Sequence, residues 1–224
     1  MTSKWVRLVM ERSDYTVEWR FISLRMLNAT VDYDTHFPPE YEAGHTAGLK
    51  LLRVAAKVRA VHGPEAVGPL YEAMGTHLFE TSNASGNWSA GADRIDRDLV
   101  GTLLTGLGLE ADLADALEDA SFDPELRAET DEALALTGKD VGTPIIHVQP
   151  PHGIAFFGPV ISRLPSPEDA VRLWDHVVGL ASFPGFAELK RSLREQPQLP
   201  AFGVEPDEVG VQEDWHGGSR RLKK

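Results

Sequence analysis

Two neighbouring segments bring together the residue types most able to hold a ligand against backbone. Gly142-Thr143-Pro144 opens the short apolar run Ile145-Ile146-His147-Val148, and Ile154-Ala155-Phe156-Phe157-Gly158-Pro159 follows a tight turn. Proline has no N–H to donate, so Pro144 heading a strand marks a strand start, an edge or a functional opening. Tyr41 and Tyr71 offer hydroxyls and ring faces to a substrate, with packing in or around a core as the alternative. Glu42 and His45 share a helical face by spacing, but no third ligand accompanies them, so no metal site is expected. His147 alternates within a strand and reads as a packed or rim residue. Ser89, in Asn87-Trp88-Ser89-Ala90-Gly91, lacks the first glycine of a nucleophile elbow and follows no strand. Gly106-Leu107-Gly108 is a helix end and not a dinucleotide fingerprint. Asp93, Asp96 and Asp98 read as a solvated acidic helix start.

Composition narrows the chemistry. The 224 residues contain no cysteine, which excludes structural disulfides and thiolate zinc sites. With 22 Lys and Arg against 34 Asp and Glu, the formal charge is −12, which argues against nucleic acid or an anionic membrane as partner. The basic cluster Arg220, Arg221, Lys223 and Lys224 follows Gly217-Gly218-Ser219 and reads as a solvated tail. No apolar run approaches the ~18 residues of a membrane span, and nothing at the start resembles a secretion signal. A cytoplasmic location is the expectation, and three Asn-X-Ser/Thr triplets at Asn28, Asn83 and Asn87 are then chance matches.

The elements that must position these residues are legible from periodicity. Trp5, Leu8 and Val9 give a helix over the first dozen residues, with no visible cap at its start. Tyr15, Val17, Trp19 and Phe21 alternate with Thr16, Glu18 and Arg20, which predicts a strand over 15–22 with one wet face. A loop with Asn28, Asp32, Asp34 and Phe37-Pro38-Pro39 leads to a helical stripe of Leu51, Val54, Ala55, Val58 and Val61, stopped by Gly63-Pro64. Leu70, Met74 and Leu78 mark a second helix, and 81–91 is a polar loop. Ile95, Leu99 and Leu103 begin a third helix, a short one covers about 110–118, and Asp123-Pro124 opens another that ends at Gly138. After the two short strands, Ser166-Pro167-Glu168-Asp169 is the clearest helix entry in the chain, with Ala170, Leu173, Trp174, Val177, Val178 and Ala181 as its apolar stripe. Residues 186–195 are expected to add one more helix before a Pro-rich end. One domain over 1–200, interrupted by a helical insertion at about 43–137 and followed by a flexible tail over 201–224, accounts for this order.

Taken together, several stretches resemble the thioredoxin-fold family of the oxidoreductase DsbA, and within it the actinobacterial branch that includes mycothiol-dependent nitroreductase. They are Thr2-Ser3-Lys4-Trp5, Ser23-Leu24-Arg25-Met26-Leu27-Asn28, Pro69-Leu70-Tyr71-Glu72-Ala73-Met74-Gly75, Asp140-Val141-Gly142-Thr143-Pro144 and Ala155-Phe156-Phe157-Gly158-Pro159-Val160. The resemblance covers the chain to about Leu193. It implies an α/β, thioredoxin-like fold in which Thr143-Pro144 is the cis-proline loop, with backbone groups that align an extended thiol-bearing substrate. It further implies that Asn28 lines the reactive pocket, although an ordinary turn asparagine fits that position equally well. Substrate contacts are therefore expected at Asn28, Tyr41, Tyr71, Thr143 and Pro144. Mycothiol or another low-molecular-weight thiol is the implied co-substrate and a small electrophile the partner.

The resemblance also shows what is lacking. In that family a central strand ends in Cys-Pro-Trp-Cys or Cys-Pro-Trp-Ala just before the first helix, and Met1 falls inside that helix. The expectation is a natural product that starts upstream. A chain of these residues alone would carry the cis-proline side of the site without its nucleophile, be inactive in thiol chemistry, and self-associate, as a homodimer for example, through an exposed sheet edge. No catalytic residue can then be named. Ser3 lies a turn past the position where the related kappa-class glutathione transferases use serine. A redox-inactive binding protein of the same fold and a kappa-class-like transferase or isomerase remain the alternatives to a thiol-dependent oxidoreductase.

Overall fold

The computed structural model describes residues 1–37, 40–80, 95–138, 142–191, 193–205 and 207–214. These residues fall into two compact units. The first holds 1–17, 132–198 and 207–214, and the second holds 18–131 and 199–205.

In the first unit α1 (Thr2–Met10) buries Thr2, Trp5, Val6 and Val9 on one face, the 3–4 spacing of an amphipathic helix. As its sequence implies, no side chain caps its start. Trp5 is fully buried, and its indole N–H donates to the Ala170 carbonyl at 2.9 Å. Ala170 lies on α8 (Pro167–Ala181), whose entry is the one expected: the Ser166 side chain accepts from the Asp169 amide, with Pro167 in the first turn. The Trp5 and Tyr15 rings each meet Trp174 of α8 edge-on at 5.7 Å. Beside them β1 (Ile145–His147) pairs antiparallel with β2 (Ala155–Phe157), Ile145 opposite Phe157 and His147 opposite Ala155. β3 (Leu193–Glu195) pairs with β4 (Gln212–Asp214) in a separate two-stranded ladder.

The second unit is helical. It contains α2 (Leu24–Leu27), α3 (Tyr33–His36), α4 (Glu40–His62), α5 (Val67–Phe79), α6 (Arg97–Gly106), a 3₁₀ run Ala111–Glu118, and the start of α7 (Asp123–Thr137). Val54 and Val58 of α4, Leu70 of α5, Val100 and Leu104 of α6, Leu113 and Leu117 of the 3₁₀ run and Leu126 of α7 form its core. Gly63 (φ 91°) and Gly138 (φ 87°) stop α4 and α7, where only glycine adopts left-handed backbone freely. Side-chain charges clamp the periphery: Arg53 holds both Asp123 oxygens at 2.7 and 2.8 Å.

Four expectations are corrected. Residues 15–22 are extended but form no strand among the described residues. The alternation survives as facing, with Phe21 buried and Arg20 exposed, but α7 takes the place of a pairing strand. The Phe21 amide donates to Glu129 Oε2 at 2.7 Å and the Ser23 amide to Thr130 Oγ1 at 3.0 Å. Those two N–H groups point to the same side of an extended chain, the side a ladder would use. Second, no helix forms among the described residues of 186–195. Leu189 is 79% exposed, so a helix there would have no core to pack on, and short helices without packing are marginal; Leu193–Glu195 is instead strand β3. Third, the stretch after Leu24, expected as a loop, contains the short helix α3, capped by the Asp32 side chain, which accepts from the Asp34 amide. Fourth, part of the expected flexible tail is folded. Leu199, Ala201 and Val204 are buried, Phe202 stacks on Phe79 with ring centroids 6.5 Å apart, and Gln212–Asp214 forms β4. The thin ladders and the abundant helix give a mixed α/β composition.

Candidate functional site

In the first unit the Gly142–Pro144 loop is built on the β1–β2 hairpin. The Gly158 amide donates to the Pro144 carbonyl at 2.8 Å, and Val148 closes the other end of the ladder on Ile154 at the same distance. The Thr143–Pro144 and Gly158–Pro159 peptides are both cis. Pro144 is half-buried while Thr143 is exposed, and the Phe157 ring lies under Gly142. The Thr2 hydroxyl donates to the Pro159 carbonyl at 2.7 Å, fixing the start of α1 just past the end of β2, the strand paired with the one the loop opens. Two polar atoms of this unit are enclosed without a hydrogen-bond partner among the described residues, His147 Nε2 and Trp174 Nε1.

In the second unit Asn28 and Tyr41 belong to one corner, made by α2, α3 and the start of α4. Asn28 ends α2, and its side-chain amide donates back to the Leu24 carbonyl at 2.9 Å, the local bond of a turn asparagine. Arg25 of α2 spans to Glu42 of α4 at 3.0 Å and lies over the Tyr33 ring at 4.8 Å. Tyr41 stacks nearly parallel on Phe37, centroids 5.5 Å apart. His45 meets Tyr33, Phe37 and Tyr41 edge-on at 5.7, 5.8 and 5.7 Å, and its Nδ1 shares a 2.9 Å hydrogen bond with the Tyr33 hydroxyl. Burial, and then the charge of Arg25, hold the His45 imidazole below the ordinary histidine range. Tyr71 lies elsewhere in this unit, on α5, 48% exposed with its ring 5.7 Å from Trp19. Trp19 itself fits only because residue 68 is glycine: a Cβ there would come 2.8 Å from its Nε1.

The expected contacts are thus distributed: Thr143 and Pro144 on the hairpin loop of the first unit, Asn28 and Tyr41 in the corner of the second, and Tyr71 apart from that corner on α5. The ring cluster was not anticipated. Its signal was present as a period of four, Tyr33, Phe37, Tyr41 and His45, hidden by Pro38-Pro39, which breaks any single helix through it. Glu42 and His45, paired by spacing, do different jobs, one binding Arg25 and the other Tyr33. No group of three or more metal-ligating side chains occurs among the described residues, and none of their helices is long and apolar enough to cross a membrane. Ser89 and Asp93 lie outside the described residues.

Comparison with known proteins places this arrangement. The chain is 29% identical over 201 residues to an uncharacterized protein of Mycobacterium tuberculosis, Rv2286c, covering 89% of this chain and 77% of that one. Residues 1–191, which include the hairpin loop and the ring corner, match the family described as Rv2466c-like, mycothiol-dependent nitroreductase Rv2466c. The chain belongs to that Rv2466c-like, mycothiol-dependent nitroreductase family.

Proposed function

We propose that this chain binds a low-molecular-weight thiol of the mycothiol class together with a small electrophile, on a thioredoxin-like scaffold in the cytoplasm. The observation that carries the reading is the loop Gly142–Pro144: it lies within the residues matched to the family, and it holds Thr143 exposed beside a Pro144 whose carbonyl is fixed by Gly158. A rigid backbone next to an accessible hydroxyl suits an extended, polar thiol, because little ordering entropy remains to be lost on binding. Asn28, Tyr41 and Tyr71 supply further polar contacts in this reading.

Thiol–disulfide exchange needs a thiolate, and these 224 residues contain no cysteine. The chain by itself therefore binds thiol and electrophile without forming a mixed disulfide. Calorimetric and amide NMR titration with mycothiol, against glutathione as control, tests the reading. Mycothiol should bind with shifts at Thr143 and Ile145, and Thr143→Ala should weaken it by about 1 kcal/mol, the worth of one hydrogen bond. Absence of binding by both mycothiol and its disulfide overturns the proposal. Acceleration of electrophile reduction or conjugation by this cysteine-free chain would favour a transferase-like enzyme instead.

A further inference from the structure

The ring corner of the second unit contains a buried base that the proposed thiol contacts do not use. His45 is 7% exposed and Tyr33 8%, and their 2.9 Å bond links α3 to the second turn of α4. Around the imidazole stand the rings of Tyr33, Phe37 and Tyr41. The charged groups of the packed elements are Arg25 from α2, lying over Tyr33, and Glu42 from α4, which Arg25 already engages. On α3, Asp34 and His36 are exposed, as is Asp32 before it; the bonds of Asp32 and His36 stay within that turn. From α7, Arg127 donates to the Met26 carbonyl behind α2. The charge acting on the imidazole is thus that of Arg25, whose carboxylate partner Glu42 is already engaged.

We propose that the Tyr33–His45 pair is an acid-sensitive latch: protonating His45 adds a second cation beside Arg25 inside the ring cluster and releases α3 and the start of α4. A buried charge without a free counter-ion is expensive, and a protonated Nδ1 can only donate, so the Tyr33 hydroxyl must then accept from it and turn its own proton elsewhere in the enclosed cluster. The lowered affinity of His45 for a proton agrees with this. The sign follows: the unfolded chain binds the proton more readily, so the corner is fully stable above the ordinary histidine value and loses stability as pH falls below it. Because Asn28 and Tyr41 stand on this corner, acid would also withdraw them from a bound thiol, a consequence that rests on the function proposed above; the latch itself does not.

The test uses the whole chain without ligand. Imidazole and tyrosine-ring NMR signals are followed together with near-ultraviolet circular dichroism from pH 8 to pH 4.5. His45 should titrate below the free-histidine midpoint, and the Tyr33 and Tyr41 rings should move in the same step. Arg25→Gln, a change at a partly exposed position, should raise the His45 midpoint and carry the tyrosine step upward with it. His45→Phe should abolish that step. Tyrosine rings that stay still while His45 titrates, a step that persists in His45→Phe, or His45 and tyrosine midpoints that separate in Arg25→Gln would each overturn the latch. Should His45→Phe fail to fold, the Arg25→Gln comparison alone decides. Mycothiol takes no part in these readouts, so a failed latch and a failed thiol-binding reading are distinguishable.

Discussion

Two extended segments of this protein satisfy their backbones in opposite ways. In the first unit β1 and β2 exchange main-chain bonds in register, with Ile145 against Phe157, and a carbonyl and an amide beyond the ladder, Pro144 and Gly158, prolong it. In the second unit, residues 18–23 alternate as a strand should, yet their inward N–H groups end on the Glu129 and Thr130 side chains of a helix. The ladder depends on its turn. The helix-bound segment depends on two side chains more than 100 residues away in sequence, and one of them also carries charge: Glu129 faces Arg59 at 2.6 Å and Arg20 at 3.3 Å. Arg59 in turn reaches Glu125 and covers the Phe21 ring at 4.1 Å. Alternation thus reports which side of a segment faces inward, while what its backbone binds is decided by whatever the fold brings alongside.

The contrast can be broken at either end. Glu129→Ala should have the largest effect, costing about 3 kcal/mol in urea unfolding, since it strands a buried amide and strips Arg59 of a buried partner. A loss under ~1 kcal/mol would show the clamp to be ornamental. The same residue predicts a pH profile. Burial opposes its ionisation, but the Arg59 bond, the Phe21 amide and the charges of Arg59 and Arg20 outweigh it, leaving the carboxyl below its ordinary value. Its stabilising share is therefore present above the ordinary glutamate value and lost as pH falls through the lower, folded one. Glu129→Gln should flatten that acid-linked loss.

On the ladder side, Gly153→Ala should cost about 2 kcal/mol through overpacking, because a Cβ at residue 153 would overlap the Val148 carbonyl. Hydrogen exchange should locate the damage at the hairpin amides, with Phe21 and Ser23 unaffected; spread to those two amides would mean that the ladder and the helix-bound segment do not open independently. Thr130→Val keeps shape but removes the acceptor of the Ser23 amide, so about 1–2 kcal/mol should be lost, with faster exchange at Ser23. An unchanged Ser23 amide would mean that water, not Thr130, satisfies it.

Much of this was legible in advance wherever the signal was local. Ser166-Pro167 at the start of α8, Gly63-Pro64 after α4 and Gly138 after α7 each act through their own backbone conformation or a bond three or four residues away, so they appear in sequence as they do in space. The hairpin was readable for the same reason: its two strands are joined by one short turn. The helix expected over 186–195 is absent among the described residues, where Leu189 is left exposed; whether a residue finds a core to pack on is something no local pattern can report. Asn28 was an even choice between pocket and turn, and the turn bond to Leu24 is what the structure adds.

Sequence alone determined where α4 and α7 stop and where α8 starts, the Thr143-Pro144 hairpin, the absence of any cysteine and the family. These depend on residue type and on interactions within a few positions, where chain connectivity enforces proximity. Tertiary structure decided that 15–22 would bind a helix and not a strand. It also decided that 193–195 would pair with 212–214, and that Tyr33, Phe37, Tyr41 and His45 would close around one buried imidazole. Each of those outcomes required groups far apart or separated by a proline break to meet, and a buried N–H or ring nitrogen accepts whichever partner the packed chain places within reach.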